Sequence, residues 1–344
     1  MSAIKRPVDR LLCIQSQLIP INTNTHQNIT MNEEQKPLVH VCFEPKTGTR
    51  QYVIADPSTR DAVIIDPVLD FDPASSKITT TTADALLALV AKHNYTVRRL
   101  LETHVHADHL TASSYLQHQL VRQHHPRPDI CIGKRITAIQ ARFAHRYGID
   151  PSETRDAFDH LFDDDESFTL GALTARILHL PGHTPDHIGY LIGPNVFTGD
   201  SLFEPDVGSA RCDFPGGDAN ALYRSITALL ALPAHYRLYT GHDYPPPERE
   251  GGEGSLPHTT VAGQRERNKH VKEGTKEEKF VNWRRERDGE LPEPRLIHQA
   301  LQVNVRGGRL PAVGKDGYRF LMVPLKVAEP WVVEENGVED SMRG

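Results

Sequence analysis

The chain has 344 residues, of which 38% are hydrophobic and 24% are charged, and its formal net charge is -6. This composition is that of an ordinary globular protein. The acidic balance argues against nucleic acid as a partner, because phosphate binding requires clustered Lys and Arg. Since no apolar run approaches the length of a bilayer crossing, no membrane span is predicted. The four cysteines lie far apart, which is typical of a reducing compartment.

Residues 1 to 37 show no periodic pattern of apolar residues and are predicted to form a disordered leader. This segment contains Lys5, Arg6 and Arg10 but few acids, a weak form of the pattern found in transit peptides. We therefore expect a cytoplasmic or mitochondrial protein.

The ordered part begins with three short runs rich in β-branched and aromatic residues, which predict antiparallel strands at residues 39 to 43, 52 to 55 and 62 to 65. Thr82 is predicted to cap a helix that extends to about residue 93. Strands and helices then alternate, which favours an α/β fold. The further predicted strands span residues 97 to 102, 130 to 132, 173 to 180, 188 to 192, 196 to 198 and 237 to 240. The further predicted helices span residues 112 to 124, 136 to 147 and 219 to 232.

The composition changes beyond Pro245. Residues 245 to 258 are rich in Pro and Gly and are predicted to form a loop, whereas residues 264 to 288 carry dense charge of both signs, which favours a solvated helical extension. A last strand is predicted at residues 301 to 305, and the final ten residues are predicted to be disordered. The sequence thus indicates a domain at residues 38 to 245. A partly helical extension at residues 246 to 344 is expected to complete the fold or the substrate side.

A dense cluster of potential metal ligands follows the strand at residues 97 to 102. His104, His106, Asp108 and His109 all lie within six consecutive positions. In an extended segment, side chains two apart point to the same side, so His104 and His106 can share one ion. A lone histidine is more often a surface or core residue than a ligand, but a cluster of this density is rare. A metal site is therefore the first hypothesis.

Three more potential ligands, His183, Asp200 and His242, lie just beyond the C-terminal ends of later predicted strands. Loops at strand ends can converge on one edge of a sheet, where functional sites collect. The sequence therefore predicts that these side chains join the first cluster in a single site.

The ordered motifs THVHADH at residues 103 to 109, GHT at 182 to 184, TGD at 198 to 200 and GHD at 241 to 243 resemble those of the metallo-β-lactamase superfamily. The likeness covers roughly residues 39 to 244. It implies an αββα sandwich with a metal site on one edge, between two sheets.

Within this superfamily the chain is most similar to the persulfide dioxygenases. The narrower likeness depends on residues 200 to 214, the triplet at residues 242 to 244 and the late segment at residues 300 to 306. It implies one Fe(II) per chain, held by His104, His183 and Asp200, with three positions open for dioxygen and a substrate sulfur. The implied reaction converts glutathione persulfide, dioxygen and water into glutathione and sulfite.

The resemblance also assigns the neighbouring polar residues. The side chains that would orient ligands and substrate around the iron are His106, Asp108, His109 and His242. Arg211 matches an arginine near the substrate, and Tyr244 is a candidate hydrogen-bond donor beside the open positions. His270 stands where the family tends to have arginine, so Lys269 is the candidate replacement for contacts to the substrate. A homodimer is one candidate assembly.

Alternative functions use the same residues. In the glyoxalase II branch, His104, His106 and His183 would hold one metal, and Asp108, His109 and His242 a second, with Asp200 bridging them. A pair of Zn ions, or a Zn/Fe pair, would then activate a hydroxide to attack a thioester. The ligand set does not separate the two branches. A non-catalytic metal-binding sensor and a metal-dependent nuclease are disfavoured, the first because every ligand position is filled and the second by the acidic balance.

Overall fold

Two β-sheets packed face to face form the centre of the computed structural model, which describes residues 13 to 15, 36 to 246 and 257 to 327. In chain order the elements are β1 (Cys13–Gln15), β2 (Leu38–Glu44), β3 (Thr49–Ala55), β4 (Asp61–Ile65), β5 (Val68–Asp72), β6 (Lys77–Thr79), α1 (Thr81–Lys92), β7 (Thr96–Leu101), β8 (Leu110–Thr111), α2 (Ser113–Arg122), β9 (Asp129–Gly133), α3 (Ile136–Tyr147), α4 (Pro151–Arg155), β10 (His160–Phe162), β11 (Ser167–Leu170), β12 (Leu173–His179), β13 (Ile188–Ile192), β14 (Asn195–Gly199), α5 (Ala219–Leu230), β15 (Arg237–Thr240), β16 (Thr259–Thr260), α6 (Val261–Arg267), α7 (Glu277–Gly289) and α8 (Ile297–Asn304).

The first sheet has the strand order β1-β2-β3-β4-β7-β9-β10, and the second has the order β11-β12-β13-β14-β15-β16. Strands β2, β3 and β4 pair antiparallel, as predicted, whereas β4, β7, β9 and β10 pair parallel. A small third sheet joins β6, β5 and β8. Within the described ranges, no helix is long and apolar enough to cross a membrane.

Apolar side chains on the facing surfaces of the two sheets form the central core, in which Tyr52, Phe197 and Tyr239 are fully buried. Helices cover the outer surfaces. α1 and α2 pack on the first sheet, and α5 and α7 cover the second. The αββα sandwich of the metallo-β-lactamase fold is therefore confirmed. Helix α3 is also confirmed, and Gly148 ends it in the left-handed conformation (φ 58°) that glycine adopts readily.

The predicted cap of α1 is wrong. Thr82 lies inside the first turn, where its backbone N–H and its hydroxyl donate to the carboxylate of Asp70 at 2.9 and 2.7 Å. A carboxylate from a distant strand thus takes the place of a local capping side chain. The sequence around Thr82 contains no sign of this tertiary contact.

The strand predicted at residues 301 to 305 is also wrong, because this segment lies in α8 and at its end. Ile297, Ala300, Leu301 and Val305 are buried, and their spacing of three and four residues is that of one helical face. Packing of these side chains against the first sheet and α3 decides the outcome.

The charged extension is helical, as predicted, and most charged side chains of α7 are exposed, whereas its few apolar side chains face the domain. Val271, Phe280 and Val281 are buried against Leu222 and Ile226 of α5. The elements without a sequence signal are short: β5, β6, β8, β10, β11, β16 and α4. Strand β1 also had no sequence signal, and the prediction of a disordered leader at residues 1 to 37 is wrong for its three residues, because they pair antiparallel with the edge of β2. The leader from residue 1 to 12 and from residue 16 to 35 lies outside the described residues, as do most of the loop predicted at residues 245 to 258 and the last ten residues.

Candidate metal centre

Asp66, directly after β4, holds the loop that follows β7. Its carboxylate accepts from the backbone N–H and the hydroxyl of Thr103, both at 2.8 Å, and lies 3.0 Å from Nε2 of His106. Asp186 accepts from the backbone N–H of Val105 at 2.9 Å. Buried carboxylates therefore fix the backbone of residues 103 to 106, so that the histidine side chains point into the site.

Asn304, at the end of α8, fixes the same loop from the other side. Its side-chain amide donates to the carbonyl oxygens of His106 and His109, both at 2.8 Å, and its oxygen accepts from the N–H of Thr111 at 2.9 Å. Sequence reasoning missed Asn304 as a site residue. The only signal was its place in the late segment at residues 300 to 306.

His104, His183 and Asp200 form what we call the first metal group. Each offers one ligand atom, and these atoms lie within 4.8 Å of one another. The two imidazole rings are 4.9 Å apart and nearly perpendicular. A second metal group is formed in the same way by His106, Asp108 and His109. The first group draws its members from the ends of three different strands, as the sequence predicted.

Each histidine of the cluster has one ring nitrogen with a hydrogen-bond partner and one ring nitrogen without. Nδ1 of His104 lies 2.9 Å from the Thr103 hydroxyl, and Nδ1 of His109 donates to the Leu110 carbonyl oxygen at 3.2 Å. Nε2 of both rings and Nδ1 of His106 are buried without a hydrogen-bond partner among the described residues. A buried polar atom without a partner costs free energy. A histidine that binds a metal uses one ring nitrogen for the ion and the other for a hydrogen bond, so a metal would satisfy these atoms. The side chains therefore fit a metal ion.

Burial lowers the pKa of His109 to about 4, and burial together with His106 and His187 holds the pKa of His104 well below its usual value. Both rings are therefore neutral near pH 7, and the neutral form is the one that binds metal. Burial raises the pKa of Asp200, but His242 and His183 outweigh this effect and lower it, so that its carboxylate is ionised.

His183 and Asp200 are each oriented by a neighbour. Nδ1 of His183 donates to the carbonyl oxygen of Arg211 at 2.7 Å, which leaves Nε2 directed toward Asp200, 3.8 Å away. The backbone N–H of Asp200 donates to Nε2 of His187 at 2.9 Å. Arg211 therefore contributes to the site through its backbone, which sequence reasoning did not anticipate.

His242 bridges the two metal groups. Its Nδ1 lies 2.7 Å from Asp200 and its Nε2 lies 2.6 Å from Asp108, and the residue is fully buried. Burial lowers the pKa of His242, but the two carboxylates outweigh this effect and raise it to about 10. His242 therefore satisfies both of its ring nitrogens through carboxylates.

A cavity of about 850 Å³ opens over the first metal group. Arg211, Tyr244 and Lys269 all line it, as do His183 and Asp200. Tyr244 stacks on His242 with ring centres 5.3 Å apart, and 45% of its surface is exposed. The guanidinium of Arg211 forms a fork with the carboxylate of Asp213. The structure thus brings all ten sequence-predicted site residues to one edge of the sandwich.

The two-sheet architecture and the His/Asp side chains at its edge define a metal-binding αββα protein. The sequence profile of the metallo-β-lactamase superfamily matches residues 46–242, and the chain belongs to this superfamily. Its members include metallo-hydrolases, and residues suited to metal binding are present here.

Relatives with different names match the chain. A β-lactamase hydrolase-like protein from Xylella fastidiosa is 44% identical over 296 residues, which are 86% of this chain and 66% of that protein. The chain thus spans just under two thirds of that relative. The persulfide dioxygenase ETHE1 of Bos taurus is 29% identical over 274 residues, or 79% of this chain and 89% of that protein. The crystal structure of ETHE1 from Myxococcus xanthus has a TM-score of 0.61 at 30% identity and covers 79% of this chain and 100% of that one.

Proposed function

We propose that the protein is a persulfide dioxygenase with one Fe(II) per chain, held by His104, His183 and Asp200. The observation that carries the proposal is the first metal group at the floor of a cavity large enough for an organic thiol carrier. The similarity to ETHE1 over most of the chain supports the same assignment. Within the superfamily, the proposal selects oxygen chemistry over hydrolysis.

The reaction balances as RSSH + O2 + H2O → RSH + H2SO3, where RSSH is a persulfide such as that of glutathione. The S–S bond breaks, the inner sulfur leaves as the thiol, and four electrons pass to dioxygen. Iron(II) on a face of two histidines and one carboxylate supplies open positions for dioxygen and a sulfur ligand. The chain's own residues orient the three ligands and hold the carrier, and the cavity is open to the water that the reaction consumes.

The role of His242 differs between a single-ion site and a two-ion site. In a two-metal site, His242 and Asp108 would both be ligands of the second ion. Here Nε2 of His242 lies 2.6 Å from Asp108 and Nδ1 lies 2.7 Å from Asp200, so one ring contacts both carboxylates. In the proposed enzyme these residues position the ligands rather than bind a second metal.

The second candidate is a binuclear thioester hydrolase of the glyoxalase II type. Two observations favour it: the second metal group, with its unpartnered nitrogens on His106 and His109, and the 44% identity to a relative with a hydrolase-like name. A pair of metal ions would lower the pKa of a bound water and so supply a nucleophile.

Metal analysis combined with an oxygen electrode tests the choice. The proposal expects about one iron per chain and oxygen uptake that depends on glutathione persulfide. Asp200→Ala should remove both the iron and the uptake, whereas the exposed Asp164→Ala should change neither. Two zinc ions per chain with hydrolysis of a glutathione thioester and no oxygen uptake would replace the proposal with the hydrolase.

A further inference from the structure

The cavity over the first metal group is strongly basic, although the protein as a whole carries a net charge of -6. The cations that line it are Lys46, Arg211, Lys269, Arg284, Arg287 and Arg295. The carboxylates that line it are Asp108 and Asp200, which both belong to the metal groups. A divalent ion would compensate these two charges. The wall of the cavity is therefore left with an excess of positive charge.

Half of these cations are already paired. Arg211 pairs with Asp213, Arg284 with Asp288 and Arg287 with Glu290. In the part of the chain that the structure describes, Lys46, Lys269 and Arg295 form no ion pair. We call these three side chains the open cations. They come from the β2–β3 turn, the segment after α6 and the segment before α8, so the tertiary fold alone brings them to one cavity.

From this charge distribution we infer that the cavity selects a thiol carrier with at least two anionic groups and no free ammonium, and that the open cations are its specificity determinants. The inference rests on the proposed function for the identity of the reacting sulfur. Either carboxylates or phosphates would supply the anions. Glutathione meets the requirement in part, since it has two carboxylates but also an ammonium, for which the described lining offers no carboxylate outside the metal groups.

The rest of the wall suits the flat or apolar part of such a carrier. Trp283 and His270 stack with ring centres 3.5 Å apart and line the cavity together with Phe71. His270 occupies the position where an arginine was expected from the resemblance. Gly208 lies directly against this ring, since a Cβ there would be 2.3 Å from it. The stacked rings of His270 and Trp283 thus line the cavity beside Lys269, at the position where an arginine was expected.

Because the open cations lie on the exposed rim, their attraction for an anion is screened by salt. At low salt, one such contact is worth about a fivefold change in affinity. Replacement of all three should therefore weaken binding of a multiply charged carrier by well over tenfold. Binding of an uncharged carrier should not change.

The test is calorimetric titration of the metal-loaded protein with carrier thiols, which requires no turnover. The probes are mercaptosuccinate for carboxylates, coenzyme A for phosphates, glutathione for carboxylates with an ammonium, and 2-mercaptoethanol as the uncharged reference. All four offer a thiol to the metal. Because the carboxylate beside the thiol of mercaptosuccinate can also chelate the metal, a preference that arises from chelation would survive in the test variant, whereas recognition of the carrier would not. The test variant combines Lys46→Gln, Lys269→Gln and Arg295→Gln. The control removes the same charge at exposed sites elsewhere, with Lys92→Gln, Arg122→Gln and Lys315→Gln.

We expect mercaptosuccinate, coenzyme A or both to bind more tightly than glutathione. This preference should vanish in the test variant and at high salt, and it should persist in the control variant. Preference for one of the two probes identifies the anion as carboxylate or phosphate. Glutathione binding as tightly as both ammonium-free anionic probes, or a preference that survives in the test variant, overturns the inference. A failure of the proposed oxygenase activity would appear instead in oxygen uptake and would leave these affinities unchanged.

Discussion

Asp288→Ala is expected to destabilise the protein severely, although Asp288 lies in a highly charged helix. Its carboxylate pairs with Arg284 at 2.5 Å, and the two side chains are only 9% and 5% exposed. It also accepts from the backbone N–H of Cys212 at 2.9 Å. Removing one partner of a buried pair leaves an uncompensated charge and costs about 3 to 5 kcal/mol. The lost acceptor for Cys212 makes the upper end of that range the expected result.

The free energy of unfolding would be measured by urea denaturation of metal-free protein, so that metal release does not contribute. Glu290→Ala is the matched control, because its pair with Arg287 lies at the end of the same helix but is 50% to 65% exposed. That change should cost less than about 1 kcal/mol. A double variant, Arg284→Met with Asp288→Leu, should recover most of the loss because it removes both buried charges.

Asp288→Ala should also weaken metal binding. Cys212 follows Arg211, whose carbonyl oxygen holds Nδ1 of His183. A change in ligand orientation of this kind lowers metal affinity about 10- to 100-fold. If Asp288→Ala costs no more stability than Glu290→Ala, the argument from the buried pair is wrong.

Three further predictions concern single side chains. Alanine at any member of the first metal group should abolish bound metal, as measured by plasma mass spectrometry. Arg211→Ala should retain the metal and raise KM. Unchanged kinetics in this variant would mean that the guanidinium of Arg211 has only a structural role. Asn304→Leu should lower both the metal content and the midpoint of thermal unfolding, since two hydrogen bonds to the ligand loop at residues 103 to 109 and one to Thr111 are lost. Full metal occupancy would refute this role. Burial, His93 and Lys92 lower the pKa of His40 to about 4. Its contribution to stability is therefore complete above about pH 6.5 and is lost as the pH falls toward 4, and His40→Gln should flatten this dependence in urea titrations between pH 7 and pH 4.5.

The sequence predicted the parts of the site that depend on strand ends. His104, His183 and His242 each follow an apolar run, and the polarity of a parallel or mixed sheet brings such ends to one edge. The sequence did not predict which ring nitrogen of His106 and His183 has a hydrogen-bond partner. These partners, Asp66 and the Arg211 carbonyl oxygen, reach the site only through tertiary folding.

The errors have a common physical cause. Thr82 and the segment at residues 301 to 305 were each interpreted from local pattern alone. In both cases a distant partner decides the outcome: the carboxylate of Asp70 for Thr82, and burial against the first sheet and α3 for the later segment. Local propensity is a weak prior when tertiary contacts of this kind compete with it.

The clamp formed by Asn304 has a consequence for the order of events during synthesis. The ligand loop at residues 103 to 109 leaves the ribosome long before residue 304, so most of both sheets can form while the loop still lacks its clamp. Tight metal binding is then expected only after α8 has been synthesised and has packed against the loop. A nascent chain stalled before α8 would carry every residue of the two metal groups, yet we expect it to hold an ion poorly.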